Sequence, residues 1–259
     1  MFERAVPPWD MATVSRARAL FAEGQAAGLR SDVFGKLGDS ITESGSFAQD
    51  IGHGWYELGP WTRLLPVVQF FSRRAFSADR EDNSFSRPSG AATAGWTTAH
   101  LLEGGDASPL ERELATLRPA VAILMIGTND AEQSDVATYT RNLGEILDRV
   151  ARRKVVLMLS TIPELRSSPA GEARARQINA VIRQTATARH LPLIDYHAAL
   201  AGLPNQGLSE DNIHPSAYVE AGDTKAAVLT PAGLRFGYNV RNLTLLLGLE
   251  RAIGVLGLR

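Results

Sequence analysis

Apolar residues follow two alternating patterns along this chain. Continuous apolar runs such as Ala120–Ile126 are typical of strands buried on both faces of a parallel sheet. Elsewhere apolar residues recur every three or four positions, as in an amphipathic helix. One such set comprises Val136, Tyr139, Leu143, Ile146, Leu147 and Val150. The alternation predicts an α/β sandwich around a mostly parallel sheet.

The pattern and its flanking Gly, Pro and capping residues set the expected elements. Strands are expected at Asp32–Leu37, Asn83–Ser86, Ala120–Ile126, Val155–Ser160 and Pro192–Tyr196. Helices are expected from a cap at Asp10 to Ala27, at Pro66–Phe71, after Thr97 or Thr98, from a capping box at Ser108 to Leu117, at 136–150, at Gly171–Arg189 and at Val240–Ile253. No repeat or linker interrupts the series, so we expect one domain over residues 1–259.

The composition limits the kinds of partner and site that we expect, and it leaves the predicted fold class unchanged. The 259 residues are 44% hydrophobic and 21% charged, as in an ordinary soluble globular protein. A net charge of -1 gives no field for nucleic acid, so we expect no nucleic-acid partner. The absence of cysteine excludes disulfides, thiolate metal sites and a cysteine nucleophile.

The sequence leaves the compartment and the oligomeric state open. No apolar run is long enough to span a bilayer, so we expect no transmembrane segment. The first residues lack a secretion pattern, which indicates a cytoplasmic location for the chain as it stands. A secreted or periplasmic location follows instead if a signal peptide has been removed.

The first candidate for chemistry is Gly38-Asp39-Ser40, directly after a predicted strand. Parallel strands bring the residues that follow them to the carboxyl edge of the sheet, where α/β proteins place their sites. Gly38 would allow a tight turn, and the helix predicted from Ile41 onward would direct its N-terminus toward negative charge. Alone, the tripeptide is more typical of a strand-to-helix turn with a capping Asp or Ser.

The second candidate is the pair Asp211 and His214. Two intervening residues put both side chains on one side of a turn, so the carboxylate can orient the imidazole as a base. Taken by itself, Asp-x-x-His is more often a solvated surface pair. Neither a third nor a fourth ligand lies nearby, so we expect no metal site.

Two further pieces could stabilise an oxyanion. The Asn129 amide follows a strand and the Gly127 turn, and an amide donates without titrating. Asn129 could instead cap the next helix, although Asp130 could take that task. Gly95 could offer a backbone N–H, and Gly90 is its rival.

Taken together, these pieces resemble the SGNH hydrolase family, also called GDSL-type esterases and lipases. The motifs are Leu37–Ser40, Gly127–Asp130 and Asp211–Pro215. The resemblance implies a three-layer α/β/α sandwich with a small parallel sheet. It implies Ser40 as nucleophile, His214 as base and Asp211 as its orienting carboxylate. The oxyanion hole would combine the N–H groups of Ser40 and Gly95 with the Asn129 amide.

Two stretches depart from that family. A first insertion near 43–88 is rich in aromatic residues, and a second near 216–236 separates His214 from the last helix. We expect both to form walls of the substrate pocket, through Trp55, Trp61, Trp96 and Tyr218. Packing against the core is the simpler role for these aromatic side chains.

The expected activity is cofactor-free hydrolysis of a small-molecule or glycan ester. Short acyl groups, such as an O-acetyl on a sugar, are slightly favoured because no lid-like amphipathic segment stands out. A lipase or lysophospholipase and a thioesterase fit as well. A binding protein that kept the fold without turnover is the alternative of another class.

Overall fold

Four parallel strands form the central sheet. In the computed structural model, which describes residues 2–76 and 82–258, they are β1 (Arg30–Gly38), β2 (Pro119–Met125), β3 (Val156–Ser160) and β4 (Leu193–Ile194). They pair in the order β1-β2-β3-β4, and every pair is parallel. All residues of β2 are buried, which explains why its sequence is continuously apolar.

Helices occupy most of the remaining described chain. The α-helices are α1 (Phe2–Ala5), α2 (Met11–Ala26), α3 (Ser40–Glu43), α4 (Gln49–Gly52), α5 (Leu65–Ser72), α6 (Thr98–Leu102), α7 (Pro109–Leu117), α8 (Thr128–Gln133), α9 (Val136–Arg152), α10 (Pro169–Ala188), α11 (Tyr196–Leu200) and α12 (Gly237–Leu256). Short 3₁₀ helices lie at Gly59–Leu64, Gly105–Ala107, Pro204–Gly207 and Gly233–Arg235. A two-stranded antiparallel hairpin, β5 (Val219–Glu220) and β6 (Asp223–Thr224), lies within the second insertion.

The layers are those of a three-layer α/β/α sandwich, as predicted. Helices α7, α9 and α10 pack beside one another and on β1 and β3. Helices α5 and α12 form a second group, which packs on β1 and β4, and α2 contacts α12, β2 and β3. None of the helices in the described ranges is both long and apolar enough to cross a membrane.

Most predicted elements are confirmed, and the capping residues explain where the helices begin. The Asp10 carboxylate accepts from the Thr13 N–H at 2.7 Å at the start of α2. The Ser108 hydroxyl accepts from the Glu111 N–H at 3.3 Å at the start of α7. Each side chain satisfies a backbone donor that has no partner within its helix.

Two predicted strands are wrong in whole or in part. Residues 83–86 form a turn, because the Asn83 side chain accepts from the Phe85 N–H at 3.0 Å and replaces a strand partner. Of the strand expected at Pro192–Tyr196, only Leu193–Ile194 pairs with β3. Tyr196 begins α11 instead, because the Asp195 carboxylate accepts from the Ala198 N–H at 3.2 Å and caps that helix.

Buried polar side chains on α12 attach both insertions to the same helix. The Asn239 amide donates to the Lys225 carbonyl at 2.8 Å in the second insertion. The Asn242 amide donates at 2.9 Å to two carbonyls, Ser46 in the first insertion and Ala226 in the second. The insertions therefore lie side by side. Residues 77–81 of the first insertion lie outside the described residues.

Glycine is needed at position 38, where β1 ends, but not for the tight turn that the sequence predicts. Its φ is not in the left-handed region, so a tight turn does not require glycine there. A Cβ on Gly38 would instead overlap the Met125 carbonyl and the Thr42 hydroxyl, and would lie 2.8 Å from the Thr42 Cβ. Glycine lets the start of α3 pack directly against the end of β2.

We predict that Gly38→Ala lowers the free energy of unfolding by about 1–3 kcal/mol, because the added methyl group overpacks this contact. Gly254→Ala in α12 is the matched control, since nothing lies within 4 Å of the added Cβ. The control should be neutral or up to about 1 kcal/mol more stable, as alanine favours helix. Urea unfolding of both variants measures this. Equal unfolding midpoints for Gly38→Ala and wild type would refute the close-packing argument.

Candidate active site

The carboxyl ends of β1 and β2 bring the first two candidate residues to one edge of the sheet. Gly38 lies opposite Met125 in the parallel register, and Ser40 and Asn129 follow these two positions. Ser40 begins α3, so its backbone N–H has no partner within a helix. No acceptor within residues 2–76 and 82–258 takes that N–H.

Ser40, His214 and Asp211 form a chain of hydrogen bonds. The Ser40 Oγ lies 3.0 Å from the His214 Nε2, and the His214 Nδ1 lies 2.6 Å from the Asp211 Oδ2. A carboxylate at Nδ1 favours the tautomer with the proton on Nδ1, which leaves Nε2 as the acceptor for the Ser40 hydroxyl. The geometry is that of a nucleophile, a base and a carboxylate that orients the base.

The loop that carries this pair is shaped by Asp211 itself. Its Oδ1 accepts from the N–H groups of Ile213 and His214, each at 2.9 Å, and from the Ser209 hydroxyl at 2.7 Å. Partial burial alone would raise the pKa of Asp211, but the hydrogen bonds from the His214 ring, these two N–H groups and Ser209 hold it well below its usual range. Asp211 is therefore ionised at neutral pH. Ser209 was not among the residues predicted from sequence, because its only signal is its place two residues before Asp211.

The two glycine candidates have different surroundings. Gly95 adopts a left-handed φ of 80°, and no acceptor in the described chain takes its N–H. The adjacent Ala94 N–H donates to the Glu43 carboxylate at 2.7 Å, which ties this turn to the end of α3. The Gly90 N–H already donates to the buried Glu113 carboxylate at 3.0 Å. Of the two, Gly95 has the N–H that can still donate to a ligand.

Asn129 lies in the first turn of α8 and does not cap it. The N-cap is Gly127, with no side-chain capping bond. Asp130 does not cap α8 either, because its carboxylate accepts from the Thr98 N–H at 2.9 Å and the Thr98 hydroxyl at 2.6 Å. The Asn129 Nδ2 donates to the Trp96 carbonyl at 2.9 Å, next to Gly95. An amide has two N–H donors, so one is left for a ligand.

Asp39 caps α3 and carries an unpartnered oxygen. Its Oδ1 accepts from the Ile41 N–H at 3.0 Å, whereas its buried Oδ2 has no hydrogen-bond partner among the described residues. Burial raises the pKa of Asp39 from 3.8 to about 6. The Ile41 N–H and the Arg241 charge lower the pKa and offset part of the rise.

Arg241 supports the same turn from α12. Its guanidinium donates to the Ile41 carbonyl and, at 2.7 Å, to the Thr42 hydroxyl. It also stacks on the Phe47 ring at 3.6 Å from the centroid. The helix that contains Arg241 was predicted from its apolar residues, and nothing in the sequence indicated a role for this buried arginine. Its partners lie about 200 positions away in the chain.

The four aromatic candidates do not line one common cavity. The Trp96 ring stacks on the His100 ring, and the Trp96 carbonyl accepts a hydrogen bond from the Asn129 amide. Trp55 is exposed and lines a cavity between the two insertions, whereas Trp61 packs on the core and does not line it. The Tyr218 ring contacts Phe236 within the second insertion.

A second carboxylate–histidine pair lies elsewhere. The His197 Nε2 is 2.9 Å from Glu164, which is 33 positions away and gave no spacing signal. The His197 Nδ1 faces the Arg183 guanidinium at 3.3 Å, so no hydroxyl occupies the nucleophile's place. Over residues 2–76 and 82–258, no three His, Cys, Asp or Glu side chains are grouped to hold a metal.

We predict that the stability gained by Asp39→Asn grows with pH. A carboxyl whose pKa is raised by folding destabilises the folded state once ionised, so the contribution of Asp39 to stability falls as pH rises from about 4 to 6 and is constant above that range. The amide keeps the acceptor for Ile41 and cannot ionise. The gain over wild type should increase by up to about 3 kcal/mol between pH 4 and 7. Urea unfolding at both pH values measures it, and a constant difference would contradict the buried ionisation.

Solved structures with the same fold cover nearly the whole chain. A GDSL-like lipase from Bacteroides thetaiotaomicron aligns with a TM-score of 0.56 and 15% identity, over 92% of this chain and 99% of that one. A catalytic mutant of an acetylxylan esterase from Geobacillus stearothermophilus aligns with a TM-score of 0.55 and 17% identity, over 86% and 94%. Catalytic mutants of that esterase replace a serine, an aspartate or a histidine, the last two being three positions apart.

The family itself is shown by the sequence. A search of curated proteins finds no match. The sequence model of the GDSL-like Lipase/Acylhydrolase family, however, matches residues 37–219, which is more than half of the chain and includes all three motifs. The chain belongs to the GDSL-like lipase/acylhydrolase family.

Proposed function

We propose that this protein is a serine hydrolase that cleaves carboxylic esters through an acyl-enzyme intermediate. The observation that carries the proposal is the chain from Ser40 through His214 to Asp211, with hydrogen bonds of 3.0 and 2.6 Å. These side chains supply a nucleophile, a base and an orienting carboxylate, so the reaction requires no cofactor. Family membership supports ester cleavage as the reaction class.

The proposed reaction has two half-reactions that share the same groups. The His214 Nε2 takes the proton of the Ser40 hydroxyl while the Ser40 Oγ attacks the ester carbonyl carbon. His214 then returns this proton to the leaving alcohol oxygen, and the acyl group remains on Ser40. In the second half-reaction His214 deprotonates a water, whose oxygen attacks the acyl carbon. The bond from the acyl carbon to the Ser40 Oγ then breaks, His214 returns the proton to the Ser40 Oγ, and the acid is released.

Three donors would hold the negative oxygen of each tetrahedral intermediate. They are the N–H groups of Ser40 and Gly95 and the second N–H of the Asn129 amide. The first two have no acceptor in the described chain, and the third belongs to a side chain already fixed through Trp96. Donors that are fixed before the reaction stabilise an oxyanion without reorganisation.

The proposed substrate carries a short acyl group, such as an O-acetyl on a sugar or small alcohol. The acetylxylan esterase of the same fold supports this class, because its catalytic aspartate and histidine have the spacing of Asp211 and His214. The GDSL-like lipase of the same fold supports longer acyl chains as the second candidate. Lysophospholipids and thioesters would belong to that candidate.

We predict that wild type hydrolyses nitrophenyl acetate faster than nitrophenyl palmitate, and that Ser40→Ala removes nearly all turnover. The reason is that the alanine cannot form the acyl-enzyme. Release of nitrophenol across a series from acetyl to palmitoyl measures both effects. A maximum at long chains would favour the lipase candidate. Folded wild type inert on every ester would favour a binding protein on the same fold.

We predict that Asn129→Ala lowers kcat about 10²–10³-fold with little change in KM, because the lost donor acts on the oxyanion. Asn142→Ala is the control, since that amide contacts Thr98 on the neighbouring helix and not the proposed oxyanion. Its kcat should stay within a few-fold of wild type. A loss below tenfold in Asn129→Ala would assign Asn129 to the turn alone, through its bond to the Trp96 carbonyl.

A further inference from the structure

A cavity of about 620 Å³ lies between the two insertions. Its volume is within the range of small-ligand pockets, about 300–1,000 Å³. Its lining comprises Asp50, Gly54, Trp55, Tyr56, Glu57, Glu220, Asp223, Thr224, Lys225 and Val228. None of the proposed catalytic residues lines it, so this cavity is distinct from the place where the ester is cleaved.

Hydrogen bonds join the two insertions that form the walls of the cavity. The Leu229 N–H donates to the Glu57 carbonyl at 2.7 Å, and the Ala226 N–H donates to the Asp50 carboxylate at 2.8 Å. Glu57 also pairs with Val228 in a parallel bridge. Because backbone bonds and a half-buried side-chain bond join the two insertions, the cavity is a built feature rather than a gap between separate loops.

An exposed indole forms part of the lining. Trp55 is 69% exposed, and its ring contacts the His53 ring at 4.7 Å between centroids. Trp55 is one of the exposed large hydrophobic residues of the described ranges, and it lines this cavity. An aromatic side chain in the wall of a pocket is typical of a small-ligand site.

Of the carboxylates near the Trp55 ring, two already have a donor from the protein and two do not. Asp50 accepts from the Ala226 N–H, and Glu220 is paired with the Lys225 ammonium at 2.7 Å. No hydrogen-bond donor of the described chain contacts the side chains of Glu57 and Asp223. The cavity thus offers two acceptors for a ligand's hydroxyl groups next to a flat apolar surface. Its excess of negative charge disfavours an anionic ligand.

The cavity is close to the proposed catalytic centre. Glu220 follows His214 by six positions, so their Cα atoms are at most about 22 Å apart. The Tyr238 N–H donates to the carbonyl of Ser216, two positions after His214, and the next residue, Asn239, accepts from the Tyr218 N–H and holds Lys225. A ligand of several linked units could therefore reach from the cavity to Ser40.

We propose that this cavity is a saccharide subsite that holds neutral sugar units of the substrate away from the acyl group cleaved at Ser40. The apolar face of a sugar ring would stack on Trp55, and its hydroxyl groups would donate to Glu57 and Asp223. The link to catalysis rests on the proposed esterase function, whereas saccharide binding does not. A lysine-rich peptide is a poorer fit, because Lys225 and a backbone N–H already neutralise or occupy two of the four carboxylates.

The test is calorimetric titration of the full chain with unesterified xylohexaose, cellohexaose and a galacturonate hexamer. We expect one or both neutral hexasaccharides to bind, and the galacturonate hexamer to bind at least tenfold more weakly. Trp55→Ala and Asp223→Ala should each weaken binding of the neutral hexasaccharide at least tenfold, and Trp55→Phe should retain most of it. Met11→Ala, which removes a side chain 90% exposed elsewhere, is the matched control and should bind like wild type.

Several results would overturn this inference. They are the failure of wild type to bind any neutral hexasaccharide at millimolar concentration, undiminished binding by Trp55→Ala, and binding of a decalysine peptide in place of the saccharides. Hydrolysis of nitrophenyl acetate by wild type is measured separately. Saccharide binding without hydrolysis would refute the esterase function alone, and hydrolysis without saccharide binding would refute the subsite alone.

Discussion

The parallel register of β1 and β2 is the constraint on which the site depends. It places Gly38 opposite Met125, so that the two chains leave the sheet at the same level and at the same edge. The missing side chain at Gly38 lets the start of α3 lie against the Met125 carbonyl. Ser40 and Asn129 follow different strands that are far apart in the chain. The two residues can face one ligand only because of these two features.

The second constraint is the first part of α12, whose side chains donate hydrogen bonds to polar groups of three other segments of the chain. Arg241 donates to the backbone that follows Ser40, and Asn239 and Asn242 donate to carbonyls of the insertions. Buried carbonyls without such donors would destabilise the fold by about 1–3 kcal/mol each. A helix with these polar residues at its start can therefore be buried around its whole circumference there.

The part of the site that could be predicted from sequence is the part encoded locally. Gly38-Asp39-Ser40 follows a short predicted strand, and Asp211 and His214 are three positions apart, so short windows contain the signal. Arg241, Asn239 and Ser209 could not be predicted, because their roles depend on partners fixed by tertiary packing. The strand expected at 83–86 failed for a related reason: the Asn83 side chain satisfies the local backbone better than a neighbouring strand could.

Helix periodicity explains how α12 serves the candidate site and the insertions at once. Residues three or four positions apart share a face of a helix, so Tyr238 and Arg241 lie on one stripe and Asn239 and Asn242 on the next. The first stripe holds the turn after β1, because Arg241 donates to the Ile41 carbonyl. Burial raises the pKa of Tyr238, and the charges of Asp39 and Asp211 add to this rise. The second stripe holds the walls of the cavity. Since adjacent stripes of one rigid helix cannot move independently, the distance between the cavity and Ser40 is set by the helix itself rather than by the loops that line the cavity.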